Sequence, residues 1–137
     1  MLQPKKLKYR KRQKGRSLNR KIATKGNFLV HGEAGLRSLE AKIIYDKEIE
    51  SAMNELRRRL GKKGRYWLRI FPHLPKTKKP PETRMGGGKG DVDAYVTFVK
   101  PGSIIFEASG LDIDTLKEAL RKAAYKLSIK TQVITKT

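Results

Sequence analysis

Between Pro72 and Asp91 the chain carries prolines at 72, 75, 80 and 81, then glycines at 86, 87, 88 and 90. Proline fixes φ and removes a backbone donor, and clustered glycines raise the entropy that regular structure must remove. The stretch is therefore predicted to hold neither helix nor strand. A loop of about twenty residues is long for a compact domain, and such loops are usually functional or disordered. Five cations in it (Lys76, Lys78, Lys79, Arg84, Lys89) face two acids, Glu82 and Asp91. Glycine admits close approach of another backbone, and cations favour phosphate as the partner. A binding loop is thus preferred over a disordered linker. Any core must come from the periodic segments on either side.

Those segments alternate in type. The clearest helix is Asp46–Leu60: Asp46 is placed as N-cap, Glu48 and Glu50 suit the positive end of the dipole, and Gly61 is placed to stop it. Ile49, Met53, Leu56 and Leu60 form its apolar stripe. A second helix spans Asp112–Leu127, capped by Asp112 or Asp114. Its buried face is Ile113, Leu116, Leu120, Ala123 and Leu127, with Ala119, Ala123 and Ala124 allowing close packing. Tyr66–Phe71 reads as a strand, with Tyr66, Leu68 and Ile70 on one side and Trp67, Arg69 and Phe71 on the other. That second side is a packed minor face with Arg69 reaching solvent, in preference to a stacking surface for single-stranded RNA. Asp93–Val99 and the segment from Ile104 to Ala108 alternate around Lys100-Pro101-Gly102-Ser103, which predicts a hairpin with Pro at i+1 and Gly at i+2. Ile129–Ile134 is a last strand. Residues 28–44 are ambiguous. Phe28 and Val30 alternate as in a strand, Leu36, Leu39 and Ile43 are spaced as on a helix, and Gly32 and Gly35 mark turns or a bulge. His31 reads as a surface or locally satisfied histidine. The order of elements predicts an α+β two-layer domain over 27–137, with the irregular loop at 72–91.

Charge places the partner. The 137 residues carry a net charge of +20. Residues 1–26 hold eleven Lys/Arg and no acid, residues 27–56 are net −3, and residues 57–137 are net +12. Such an imbalance calls for a polyanion, and the acidic middle separates a binding side from an outward side. The first 26 residues have too few apolar side chains to fold alone and read as an extended arm that orders on a phosphate backbone. Tyr9, among Lys8, Arg10, Lys11 and Arg12, is placed to stack on a base or ribose. Arg57, Arg58 and Arg59 in the last turn of the first helix, followed by Lys62, Lys63 and Arg65, either complement the helix dipole or form a phosphate-binding corner. The sequence leaves both readings open. A membrane surface is disfavoured, since no apolar run reaches spanning length. The cationic N-terminus lacks the apolar stretch of a secretory signal, so an intracellular protein is expected.

Catalytic and metal chemistry have little to stand on. There is no cysteine, and the two histidines, His31 and His73, are far apart in the chain, so no metal site is expected. The acids sit mainly at helix starts, where capping explains them. Lys89 is followed by Gly90, not by Ser or Thr, so the glycine loop fails the P-loop pattern; Asp91 breaks the dinucleotide pattern. Neither a catalytic residue nor a cofactor is expected. Duplex DNA reading is disfavoured too, because no helix-turn-helix spacing appears, and shape-led RNA recognition fits better.

The opening MLQPKKLKYRK, then KGNFLVHGEAGL, WLRIFP, KTKKPPETRMGGGKG, VKPG with IIFE, and AAYKLSIKT resemble, in order and over nearly the whole chain, the bacterial large-subunit ribosomal protein L-sixteen family (universal uL-sixteen). The resemblance implies a hammerhead-type sandwich of a mixed, mainly antiparallel sheet with two helices. It implies binding to 23S rRNA near the base of the central protuberance. The arm and loop would approach the aminoacyl-tRNA site beside the peptidyl transferase centre, organising that region late in assembly. A-site tRNA is the implied second partner, P-site tRNA a further candidate, and neighbouring large-subunit proteins surround it, in the cytoplasm. The family is not the catalyst. Carried onto this chain are the arm residues Lys5, Lys6, Lys8, Arg10, Lys11, Arg12, Lys14 and Arg16, and the loop residues Arg84, Met85, Gly86, Gly88, Lys89 and Gly90. Tyr9, the corner cations and Lys76, Lys78 and Lys79 complete the expected RNA-binding set. Three features depart from the family: Gly87 replaces a lysine, Ser128 replaces a proline and predicts a looser approach to the last strand, and AKIIYDKE at 41–48 is atypical. The reading from another class is a general DNA-compacting nucleoid protein.

Overall fold

The structure, a computed structural model, describes residues 3–5, 26–78 and 91–136. Lys6, Lys8, Tyr9, Arg10, Lys11, Arg12, Lys14 and Arg16 of the arm lie outside the described residues, as do Lys79 and the loop residues Arg84, Met85, Gly86, Gly87, Gly88, Lys89 and Gly90. The elements run β1 (Ala34–Ser38), β2 (Lys42–Tyr45), α1 (Asp46–Leu60), β3 (Arg65–Leu68), β4 (Leu74–Lys78), β5 (Asp91–Val99), β6 (Ile104–Ser109), α2 (Ile113–Ala124) and β7 (Thr131–Thr135). The fold is α+β as expected. Its strands, however, form two sheets rather than one mixed sheet: β3-β6-β1-β7 and β2-β5-β4. Every pairing among the described residues is antiparallel.

One apolar cluster joins both sheets to both helices. It contains Leu36, Ile105 and Phe106 of the first sheet, Ile44 and Val99 of the second, Ile49, Leu56 and Leu60 of α1, and Leu116, Leu120 and Ala123 of α2. The helical spacing of Leu36, Leu39 and Ile43 is not realised. Leu36 is buried in β1, Leu39 is exposed, and Ile44 rather than Ile43 enters the core. Cross-strand pairing with β5, β6 and β7 overrides the local spacing. Ile113 likewise opens α2 from an exposed position rather than on its buried face.

Capping follows the strand that feeds each helix. Asp46 is the first helical residue, not the cap. Tyr45 ends β2 in extended conformation and so occupies the cap position. Glu48 reaches back to accept the Tyr45 N–H at 3.0 Å. In α2, Asp112 is the cap: its carboxylate accepts the Thr115 N–H at 3.3 Å and the Thr115 hydroxyl at 2.7 Å. Those two hydroxyl and amide donors outweigh burial and hold Asp112 below its ordinary 3.8.

The predicted β5–β6 hairpin does not form. The turn itself is present, with the Ser103 N–H bonded to the Lys100 carbonyl at 3.1 Å and Gly102 at φ +92°. But Val99 pairs with Lys42 in one sheet and Ile104 with Arg37 in the other. A Pro-Gly turn of this kind splays its flanking strands instead of matching their twist. Here it acts as a corner where the chain changes sheets. The chain between β1 and β2 makes the same change, and Ser38 locks the two crossings: its N–H donates to Ser103 and its carbonyl accepts from Gly102, both at 2.8 Å.

The hairpin that does form is β4–β5, with Leu74 opposite Val96 and Lys78 opposite Asp91. A strand therefore occupies the front of the segment predicted to be irregular. Pro75 is tolerated because β4 is an edge strand of its sheet, where a missing N–H breaks no ladder. The looser approach expected at Ser128 is not seen either. Its carbonyl accepts Lys42 Nζ at 2.6 Å, and the Lys130 N–H is held by Glu40 at 3.0 Å.

Candidate nucleic-acid interface

The first candidate surface is the corner where α1 ends. Gly61 stops the helix at φ +63°, its N–H bonded to the Arg57 carbonyl at 3.2 Å. The three arginines of the last turn fan out with different partners. Glu55, nearly buried, accepts Arg58 Nη2 at 2.5 Å and Arg59 Nε at 2.7 Å. Arg57 bonds the Tyr66 hydroxyl at 3.1 Å and Asn54 at 3.4 Å. Arg59's hydrogen bond, with the neighbouring Arg58 charge, outweighs burial and keeps the Glu55 carboxyl below its ordinary 4.5. Glu55 thereby aims two guanidinium groups without covering them: Arg58 keeps 72 % of its side chain open. Lys62, Lys63 and Arg65 follow, all exposed. The local ion pairing and the basic corner coexist: Glu55 pairs with two of the six cations, and all six side chains stay exposed.

The second surface is the face of the four-stranded sheet turned away from Phe106 and Ala108. Tyr66, Leu68 and Ile70 pack on the core, which turns Arg65, Trp67 and Arg69 outward. Arg69 reaches solvent only in part, with 20 % of its side chain exposed. Its Nη1 lies 2.6 Å from Oε2 of Glu107, a carboxylate with 0 % exposure. The other oxygen of Glu107 accepts the N–H groups of Val30, His31 and Gly32 at 2.7, 3.0 and 3.2 Å. Burial alone would raise the Glu107 pKa, but Arg69 and these three amides outweigh it and hold the carboxyl below its ordinary 4.5. Residues 26–33 thus form a strap across this face. Leu29 lies over Gly35, where an added Cβ would collide with Leu29 Cδ2. His31 lies over Trp67, ring centroids 5.5 Å apart and planes inclined by 24°.

Of these two surfaces, the second lies where the N-terminal basic segment joins the described domain. The strap begins at Gly26, whose carbonyl accepts the Ile104 N–H at 2.8 Å. The arm continues from there. The glycine loop, 79–90, connects Lys78 to Asp91, which the β4–β5 pairing holds opposite each other. Lys76, earlier on β4, sits with Nζ 4.7 Å from the ring centroid of Tyr45 and bonded to its hydroxyl. Of the expected RNA-binding residues, Lys5, Arg57, Arg58, Arg59, Lys62, Lys63, Arg65 and Lys76 have described side chains, and all are exposed. Glu107, Arg69 and the strap are the part that sequence reading did not assemble. The alternation that turned Arg69 away from the core was the available signal, but its partner lies 38 residues on.

The family profile described as Ribosomal protein L16p/L10e matches residues 4–134. The chain belongs to this family. A curated relative, the large ribosomal subunit protein uL16 of Sulfurihydrogenibium sp. (strain YO3AOP1), is 48% identical over 134 residues, spanning 98% of this chain and 96% of the relative. The L16p/L10e match takes in most of the arm, both sheets, both helices and the whole glycine loop. The resemblance carried by the short motifs is therefore borne out at the level of the entire sequence. Among the described residues, no L16p/L10e helix here is long and apolar enough to cross a membrane.

Proposed function

We propose that this chain is a structural constituent of the large ribosomal subunit, not an enzyme, and that it acts by binding 23S rRNA. The observation that carries this reading is the relationship over residues 4–134 to a family of ribosomal proteins, with a 48% identical relative named for the large subunit. The fold is then of the hammerhead type, one α+β domain over 27–137 with the arm of 1–26 extended along RNA. Lys5, Lys6, Lys8, Tyr9, Arg10, Lys11, Arg12, Lys14 and Arg16 line the arm, where the cations neutralise phosphates. The corner cations Arg57 to Arg65 and Lys76, Lys78 and Lys79 bind the RNA nearer the domain. The loop Arg84 to Gly90, carried on the β4–β5 ribbon, reaches the A-site region beside the peptidyl transferase centre. It contacts A-site tRNA there, and P-site tRNA as a second contact. Neighbouring large-subunit proteins pack on the remaining surface, and the protein works in the cytoplasm within that subunit.

Charge distribution supports the reading: the corner cations and Lys76 are exposed, and Lys76 lies on β4, the strand that leads into the glycine loop. The DNA-compacting alternative gains nothing from the family relationship. The test is a photoreactive residue in place of Met85, crosslinking in cells, and sequencing of the attached nucleic acid. Crosslinks confined to large-subunit rRNA around the peptidyl transferase centre and to tRNA are expected. Crosslinks scattered over unrelated RNA, or made mainly to DNA, would overturn the proposal.

A further inference from the structure

The outer sheet face carries aromatic surface that the core does not use. His31 is exposed, and one side of its ring is backed by Trp67 in a stacked arrangement. The His31 N–H is bonded to Glu107, whose second oxygen takes Arg69, and Trp67 lies opposite Glu107 in the β3–β6 register. Phe28 is 66% exposed and lies two residues from Gly26, where the arm meets the domain; Phe71 is 43% exposed just beyond Arg69. In the chain these exposed rings flank the stacked pair, Phe28 three residues before His31 and Phe71 four residues after Trp67. Arg65 is exposed on the same side of β3, Glu33 is exposed on the strap two residues from His31, and Glu107, the acid beneath the ring pair, is buried and already matched by Arg69.

We infer that His31, backed by Trp67, is a stacking platform for one unpaired nucleobase of an RNA strand that runs from the basic arm onto the domain. A strand whose phosphates are held by the arm is delivered to the strap at Gly26, and the first exposed rings it meets on the folded domain are those of Phe28 and His31. Stacking needs no particular base, because every base has a π face, and it requires the base to be out of a duplex. Glu107 and Arg69 serve as positioning residues: they fix the strap so that the His31 ring stays stacked on Trp67. This inference rests on the RNA-binding reading above and specifies which part of the RNA meets the folded domain.

Trp67 is the single tryptophan of the chain, so its fluorescence reports on this site alone. The experiment titrates the full-length protein with an unstructured RNA of about ten nucleotides, a length within the usual site sizes for single-strand binding. It then repeats the titration with the same strand annealed to its complement. Expected are a change in Trp67 emission with the single strand and little or none with the duplex. His31→Ala should weaken single-strand binding about tenfold while leaving the salt dependence and the duplex affinity unchanged; His31→Phe should restore it. Equal loss for single strand and duplex, or no loss for either, would overturn the platform while leaving RNA binding intact. Absence of any saturable RNA binding at low salt would remove both readings together.

Discussion

Glu107 holds together more of the outer face than any other side chain, and its effects are measurable. It accepts one guanidinium and three backbone amides from a fully buried position. Replacing one partner of a buried pair leaves the other uncompensated, so Glu107→Gln should lower unfolding stability by about 3 kcal/mol in denaturant titrations. The pH response has a defined sign. The folded carboxyl titrates below its ordinary 4.5, so its stabilisation is complete above that value and is lost as pH falls through the lowered folded pKa. Acid titration of stability should be less steep in Glu107→Gln than in the unmodified protein. Gly35 sets a second constraint at this scale. A side chain there collides with Leu29 and comes within 2.9 Å of the Phe106 carbonyl, so Gly35→Val should cost about 1–3 kcal/mol and unseat the strap. Faster hydrogen exchange at the amides of residues 30–32 would report the unseating.

At the scale of elements, the corner at Lys100–Ser103 decides the architecture, because it sends β5 and β6 to different sheets. Gly102 sits at φ +92°, a region that L side chains rarely adopt. Gly102→Val should therefore destabilise the fold by about 1–3 kcal/mol, with the melting temperature as readout. The same corner shows where sequence reading stops. Both helices were legible, because Ile49, Leu56 and Leu60, or Leu116, Leu120 and Ala123, recur at helical spacing and are all buried. The Pro-Gly turn was legible as a turn, but nothing local says that its arms will find partners as distant as Lys42 and Arg37. β4 was hidden by Pro75, whose meaning depends on whether the strand lies at an edge, and that is a property of the whole sheet. For the site, the cations of the α1 corner could be read directly from their clustering. The Glu107–Arg69 clamp could not, since it joins positions 38 to 77 residues apart.

Taken whole, the molecule has an α+β fold whose described elements lie between Ala34 and Thr135, with the basic stretch of 1–25 before Gly26 and the glycine-rich stretch of 79–90 between Lys78 and Asp91. If the arm neutralises RNA phosphates, its contribution appears in the salt dependence. Removing residues 1–25 should flatten the slope of log affinity against log salt by about 0.7 for each single-strand phosphate that the arm had neutralised. An unchanged slope, measured by filter binding across a salt series, would mean that the folded domain alone carries the electrostatics. The strap adds a consequence for the order of events during synthesis. The strap is synthesised before any of the described strands. Yet Val30, His31 and Gly32 have no anchor until Glu107 emerges, and β1 lacks one neighbour until Thr131–Thr135 follow. Pairings of such long separation form late. The strap is therefore made long before it can be fixed, and the outer sheet face takes its final form only after β6 has been synthesised.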